Sequence, residues 1–486
     1  MKIKNFWATH IFSPGARRLL TGLVLTVFLS TGLGSFNPAQ ALTIKEEQEL
    51  GERLLPLLRR EFQIIDEPDV NAYIRGLGRE ILDVVGPQPF DYHFFVIANR
   101  EFNAFAAPAG LIAVFSGLVE ATASEGELLS VVAHEVGHAA SRHHASRLAQ
   151  HQKIQLGTTA LVLAGMILGG GGALGETLMA GALAGGATLG LQYSREDEEE
   201  ADRLALQWMK ETGRNPAEML NMFRTMHNIS RIHRGQLPAY LLTHPEPEKR
   251  MAYLEDRLYQ QGLPIHVQPL VGDENFEFDF HRFRMRILTL TRSPLDLLPT
   301  FKHQLRGGDE LPVNFMARFG LSQVYLAERQ HDKALKEINK VIARFPNRTI
   351  LLADRAVILF EAGQPQEALR QMELAAARDP DNPFILFNQA RMLQQLGQIT
   401  AALPIYQRLL QLTPTHAQLH FRYSQSRSSL GDIALGHYHL GLYHWYDGNN
   451  RMARHHLNQA INQDSENGAV RDLAAEQLAT IASLEN

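Results

Sequence analysis

The stretch "VVAHEVGHAASRHH" (131–144) decides how this 486-residue chain is read. Its apolar spacing is helical, and His134 and His138, four apart, then share one face a turn from each other. Two imidazoles so placed can bind one metal ion. Glu135 beside them can take a proton from an attacking water and hand it to a leaving amine. The competing reading is an ordinary helix with a polar stripe. "LLSVVA" before the pentad and Gly137 inside it mark a buried helix, where two histidines and a glutamate need partners. Ser124, with Glu127 three residues on, predicts a capping box at its start and a helix running through 124–153.

A catalytic zinc takes three protein ligands and keeps a fourth position open. His144 stands six residues after His138, where a metzincin places its third histidine, but the glycine of that pattern is replaced by Ser141. His143 and His144 therefore read as a solvated face. The better third ligand lies in "YSREDEEEADRLAL" (193–206). Glu198 and Asp202 are one helical turn apart, the gluzincin arrangement. Glu198 completes the zinc shell, and Asp202 bonds the other nitrogen of a ligand histidine, setting its tautomer. Glu196, Asp197 and Glu199 read as solvated charge.

Composition narrows the rest. The chain has no cysteine, which excludes thiolate metal sites, disulfides and a lipidated amino-terminal cysteine. A net charge of −5 gives no sign of nucleic-acid binding. Residues 1–41 read as an export signal: Lys2, Lys4, Arg17 and Arg18, then apolar "LLTGLVLTVFLSTGLG" (19–34), then "AQA" (39–41) with cleavage expected after Ala41. Losing those four basic residues takes the charge from −5 to −9. An uncleaved anchor is the alternative. The compartment expected is the periplasm of a bacterial envelope. Residues 154–193 carry Glu176 as their sole charge up to Tyr193 and are rich in Gly, Ala and Leu. They read as two glycine-rich helices over the catalytic region, a lid in peripheral contact with a membrane, with a membrane hairpin as the alternative.

Two helices are expected over 43–85, with "PDV" and Asp69 capping the second. Strands are expected at 92–99 and 111–117, separated by the turn residues of "NAFAAPAG" (103–110). The carboxy-terminal part repeats with a period of 34: Pro346, Pro380 and Pro414; Ala334, Ala368 and Ala402, each followed by leucine; Gly363, Gly397 and Gly431. That period, with small residues where helices cross and proline after the second helix, is the tetratricopeptide pattern. After Gly431 the register slips by 17 residues, which predicts an atypical cap, and helical 276–305 begins the array.

"HEVGH", then "YSREDEEEAD" and "THPEPEKRM" (243–251), resemble the zinc metalloprotease family that includes the CAAX prenyl protease and the bacterial heat-shock membrane protease. With an export signal and carboxy-terminal repeats, the chain looks most like the exported, repeat-bearing members. The resemblance implies an α+β gluzincin-type protease domain, mostly helical, over 42–265, and an all-α tetratricopeptide solenoid over 266–486. It implies one zinc ion held by His134, His138 and Glu198, with Glu135 as base. His244, in the family's His-Pro, is placed near the metal, as a plug over the water position or a donor to the oxyanion. Arg250 matches an arginine expected to form a structural ion pair. "FNAFAAPAGLIAVFSGL" (102–118) matches the strand that pairs with substrate, with Asn103 and Ala104 as backbone contacts. The clients implied are unfolded or misassembled outer-membrane barrel proteins, with the outer-membrane assembly machinery held by the repeats. A chaperone or scaffold is the reading from another class.

Overall fold

The computed structural model describes residues 42–150, 193–232, 238–265, 276–308, 311–464 and 468–485. The export-signal reading of 1–41 and, apart from Tyr193, the lid-or-membrane reading of 154–193 lie outside the described residues.

The amino-terminal domain is a small sheet held between helices. Helices α1 (Ile44–Glu61) and α2 (Pro68–Val85) lead into β1 (His93–Ile97), β2 (Ala104–Ala107) and β3 (Leu111–Phe115). The order is β1-β3-β2, with β1 parallel and β2 antiparallel to β3. Alternation along each strand sends side chains to two cores. Val96, Ala104, Ala106, Ile112 and Val114 pack in the main core with α2 and the metal-motif helix. Phe95, Ile97, Phe105, Leu111, Ala113 and Phe115 pack in a second core under Leu50, Leu54 and Leu58 of α1. Burial on both faces explains why the strands are continuously apolar. Part of the expected 103–110 turn is strand β2, and the chain reverses only at Pro108–Gly110, where Ala109 and Gly110 take positive φ.

After α3 (Ser116–Ala121), α4 (Glu125–Ala140) carries the pentad. The expected single helix over 124–153 is broken: Arg142 adopts a left-handed φ of 53°, and α5 (His143–Gln150) sets off on a new axis. Arg142 is held there by Glu47 at 2.7 Å and the Leu42 carbonyl at 2.5 Å. The capping box is half-formed. Ser124 accepts from the Glu127 N–H, whereas the Glu127 carboxylate accepts from Ala123. Then follow α6 (Arg195–Glu211), α7 (Ala217–Ile232), α8 (Ala239–Thr243) and α9 (Pro247–Gln260). Gly137 lets α4 and α6 touch: a Cβ there would meet Ala201 Cα at 3.0 Å.

The carboxy-terminal region is helical throughout its described residues. Helices α10 (Phe278–Thr291) and α11 (Pro294–Arg306) and the short α12 (Pro312–Phe315) precede hairpins α13 (Ala317–Ala327)/α14 (His331–Arg344), α15 (Ile350–Glu361)/α16 (Pro365–Arg378) and α17 (Pro383–Gln395)/α18 (Ile399–Leu412). The series continues as α19 (Ala417–Ser429), α20 (Ile433–Tyr446), α21 (Asn450–Gln463) and α22 (Ala469–Glu485). Ala334, Ala368 and Ala402 are fully buried where paired helices cross. Gly363, Gly397 and Gly431 turn the hairpins at φ 77°, 77° and 87°; one period earlier Arg329 makes the same turn at φ 55°.

The array curls back on the amino-terminal domain at both ends. Asp69, expected to cap α2, instead binds Arg282 at 2.9 Å and Arg286 at 3.0 Å on α10. Arg282 also grips Asp354 through two bonds of 2.7 and 2.9 Å. Asp66 accepts from the Ala417 N–H at 2.9 Å and lies 3.4 Å from His416. Arg59 donates to the Tyr446 carbonyl at 2.6 Å. Thus "DEPD" (66–69) touches both the first helix of the array and the start of α19.

Candidate metal centre

Four side chains from two helices and the end of a third converge. His134 and His138 come from α4, Glu198 from the first turn of α6, and His244 from the end of α8. One potential ligand atom from each lies within 4.8 Å of every other, and all four residues are buried. Nε2 of His134 and Nε2 of His138 are 3.0 Å apart, and His244 Nδ1 is 3.3 Å from His134 Nε2. Glu198 turns Oε1 to this cluster, 2.8 Å from His244 Nδ1 and 3.4 Å from His138 Nε2. Its Oε2 is in ion-pair contact with Arg250.

Buried partners on the far side set the tautomers. Asp202 Oδ1 accepts from His134 Nδ1 at 2.9 Å, which leaves the Nε2 lone pair directed into the cluster. Asp202 is itself held by Arg250 through bonds of 2.6 and 2.8 Å. Burial alone would push the Asp202 and Glu198 carboxyls up, but the Arg250 guanidinium together with the neighbouring histidines outweighs it and holds both below the usual range, Glu198 well below. Burial drives His138 well below its usual value, with the charge of neighbouring imidazoles adding to the effect. It is neutral at pH 7 and thus able to act as a ligand. Arg250 is therefore an ion-pair partner, and one that joins two carboxylates of α6.

The solvated reading of His143 and His144 is wrong, because the left-handed step at Arg142 folds them back. His143 is 4% exposed and its Nδ1 lies 2.9 Å from His138 Nδ1. Its Nε2 points to Glu200 at 3.5 Å and Asp197 at 3.6 Å. Asp197 also accepts from Ser194 at the helix cap, so its reading as simple solvated charge fails too. His144 bonds the Tyr193 hydroxyl at 2.6 Å and is pushed down to about 3 by burial. Tyr193 stacks on His138 with centroids 3.8 Å apart, and Tyr240 stacks on His244 at 4.3 Å. Nothing in the periodicity of 131–150 flags these contacts. The one available signal is a pair of adjacent histidines just past the pentad, inside the helix expected over 124–153.

Glu135 is fully buried, and neither carboxylate oxygen has a hydrogen-bond partner among the described residues; His244 Nε2 is 3.6 Å from Oε1. A buried carboxylate without partners costs several kcal/mol unless something absent compensates it. Converging imidazole lone pairs, a carboxylate oxygen turned to them, and this orphaned acid together fit a divalent cation and its water. No cysteine competes, and nitrogen and oxygen donors in this number suit a zinc-like ion.

The predicted substrate-strand residues lie beside the site. The Asn103 carbonyl accepts from the Phe115 N–H at 3.0 Å, inside the sheet. Ala104, one residue on, directs its backbone polar groups to the outer edge of β2 by the alternation of an antiparallel ladder. Two residues further the Ala106 carbonyl faces the same edge and is taken by His144.

Comparison with known proteins agrees with this arrangement. Residues 68–258 match Peptidase family M48, and 353–417 match a tetratricopeptide repeat family. The putative beta-barrel assembly-enhancing protease of Vibrio cholerae is 28% identical over 318 residues, covering 64% of this chain and 63% of that one. The chain thus spans less than two thirds of that relative. The beta-barrel assembly-enhancing protease of Escherichia coli is 26% identical over 347 residues, 68% of this chain and 69% of its own. The Escherichia coli metalloprotease LoiP is 27% identical over 180 residues, 37% of this chain and 67% of its own.

Proposed function

We propose that this chain, a metallopeptidase of the M48 type joined to a tetratricopeptide array, is a periplasmic zinc-dependent endopeptidase for outer-membrane barrel proteins that fail to assemble. The observation that carries the reading is the buried Glu135, without a hydrogen-bond partner among the described residues, beside four converged donors. The zinc-metalloprotease domain is assigned to 42–265 and the array to 266–486. His134, His138 and Glu198 would hold the ion. A bound divalent cation supplies Lewis acidity, polarising a peptide carbonyl and making water more acidic. Glu135 takes the proton of the attacking water and returns it to the departing amine; its burial without competing hydrogen bonds leaves both oxygens available. Asp202, held by Arg250, keeps His134 in the tautomer that binds. An extended substrate adds to the edge of β2 through the backbone of Ala104. Asn103 has spent its carbonyl within the sheet, so its part is to fix the strand.

His244 sits inside the donor cluster. Its Nδ1 contacts Glu198 and His134, and its Nε2 faces Glu135. In that position it keeps substrate from Glu135, and a client must move it aside. Once displaced, its ring N–H can donate to the oxyanion. Outer-membrane barrel clients and the machinery that assembles them are taken to bind the array. A cavity of about 700 Å³ on its inner side, lined by Arg329, Asn388, Arg391 and Arg422 with Asp66 and Glu67, offers room for a chain segment. That cavity also favours a second reading, in which holding clients for assembly matters more than cutting them.

The test is metal analysis of the purified chain with casein digestion. One zinc per chain and digestion abolished by a chelator are expected. A chain without bound metal, or digestion indifferent to the chelator, ends the peptidase reading. Full support of barrel assembly by Glu135→Gln favours the scaffold. His244→Ala should raise basal cleavage if the ring is a plug and lower it if oxyanion donation dominates. Among the described residues no helix is long and apolar enough to cross a membrane.

A further inference from the structure

A second set of imidazoles lies far along the chain, where the repeat register slips. In "GHYHLGLYHWYDGNNRMARHHLNQ" (436–459), His437 and His444 are seven apart on α20, two turns along one face. His456 comes from the facing helix α21. Its Nδ1 lies 3.1 Å from His437 Nδ1. The two rings stack at 5.3 Å and 21°, and His444 stacks on His456 at 5.3 Å and 4°. His456 is thus sandwiched between two imidazoles of the neighbouring helix.

Close approach of the helices makes this possible. A Cβ at Gly441 would meet Leu457 Cγ at 2.7 Å, so only glycine lets α20 and α21 pack so near. The stack has an unmet need, because His444 Nδ1 is buried and has no hydrogen-bond partner among the described residues. It also has the geometry of a chelate. Metal–nitrogen bonds of about 2.0–2.1 Å place neighbouring ligand atoms about 2.9–3.4 Å apart. The His437–His456 separation falls in that range and matches the 3.0 Å between His134 and His138.

We propose that His437 and His456 form a second metal site, a two-point chelate for an imidazole-preferring divalent ion of the Zn²⁺, Ni²⁺ or Cu²⁺ type. Such ions favour neutral imidazole, and the half-exposed setting leaves their other positions to water. The site ties α20 to α21. The turn between these helices carries the contact to the amino-terminal domain: Gly448 packs against the Arg60 backbone, and Arg59 bonds the Tyr446 carbonyl. An ion there staples the helix pair on which the far end of the array is docked. The proposal does not depend on the peptidase reading.

The test is calorimetric titration of the zinc-loaded full chain with Ni²⁺ alone. Wild type should take up one equivalent more than His437→Gln or His456→Gln, or bind it at least tenfold more tightly. His455→Gln, which alters the exposed neighbour, should behave as wild type. Exchange at the peptidase centre is common to all variants and cancels in the comparison. Ni²⁺ should also raise the thermal midpoint of wild type above any rise in the two glutamine variants, since an ion bound only by the folded state stabilises it. Equal uptake by wild type and both variants overturns the proposal, as does a His455→Gln loss as large as theirs. The substituted rings are at a partly exposed helix surface, and matching circular dichroism spectra would show that the variants fold.

Discussion

The metal centre and the repeat array solve opposite problems with the same element, the α-helix. The array stacks near-identical hairpins, each stabilised by small apolar residues at fixed spacing: Ala334, Ala368 and Ala402 are fully buried and interchangeable in role. The centre buries His134, Glu135, His138, Glu198, Asp202, His244 and Arg250, seven polar side chains no two of which have the same surroundings. Repetition spreads stability over many similar contacts. The centre concentrates charge in low dielectric, where every partner matters.

That contrast can be broken at its sharpest point. Glu135→Gln should cut proteolysis by about 10²–10⁴-fold, the range for a general base, and should not lower the urea midpoint, because among the described residues the carboxylate has no hydrogen bond to lose. A proportionate fall in stability would mean that Glu135 is structural. Arg282→Ala removes one cation from two buried carboxylates, Asp69 and Asp354. It should cost about 3–5 kcal/mol and split a shared urea transition in two, since Arg282 joins the domains. A single transition with an unchanged midpoint would show that the junction carries no coupling. Within the array, Ala368→Leu should cost about 1–3 kcal/mol by overpacking one crossing, with casein cleavage retained. Loss of cleavage would extend the array's influence to the centre.

The mildest effect concerns pH. The Glu127 carboxyl is pushed up to about 7, first by burial, against the Ala123 N–H that favours its charge. Its folded value lies above its unfolded one, so its contribution is full below the unfolded value and lost as pH rises through about 7. Between about pH 5 and pH 6.5, wild type should lose about 1–2 kcal/mol relative to Glu127→Gln by urea unfolding. Parallel curves for the two proteins would place the proton elsewhere.

The reach of sequence reasoning follows the same divide. The helical hairpins are legible because their signals are local and recur: a proline, a buried alanine and a turn glycine in register. Arg329 shows the limit, since it makes a left-handed turn that glycine makes elsewhere. The pentad and the Glu198–Asp202 pair are legible as chemistry because helical spacing puts each pair on one face. His143, Tyr193 and Tyr240 are not, because their roles depend on a break at Arg142 and on ring stacking between distant segments. Asp69 misleads for a related reason: a capping residue and a long-range ion pair look alike in one dimension.

By itself the amino-acid order determined where helices lie, which faces are apolar, and which imidazoles and carboxylates could share an ion. These follow from the 3.6-residue period and side-chain type alone. Only the tertiary structure decided that His244 enters the donor set, that Arg250 holds both of these carboxylates of α6, and that "DEPD" grips the array at both α10 and α19. Those contacts join residues tens to hundreds apart. Their strength comes from burial and exact distance, which no local pattern encodes.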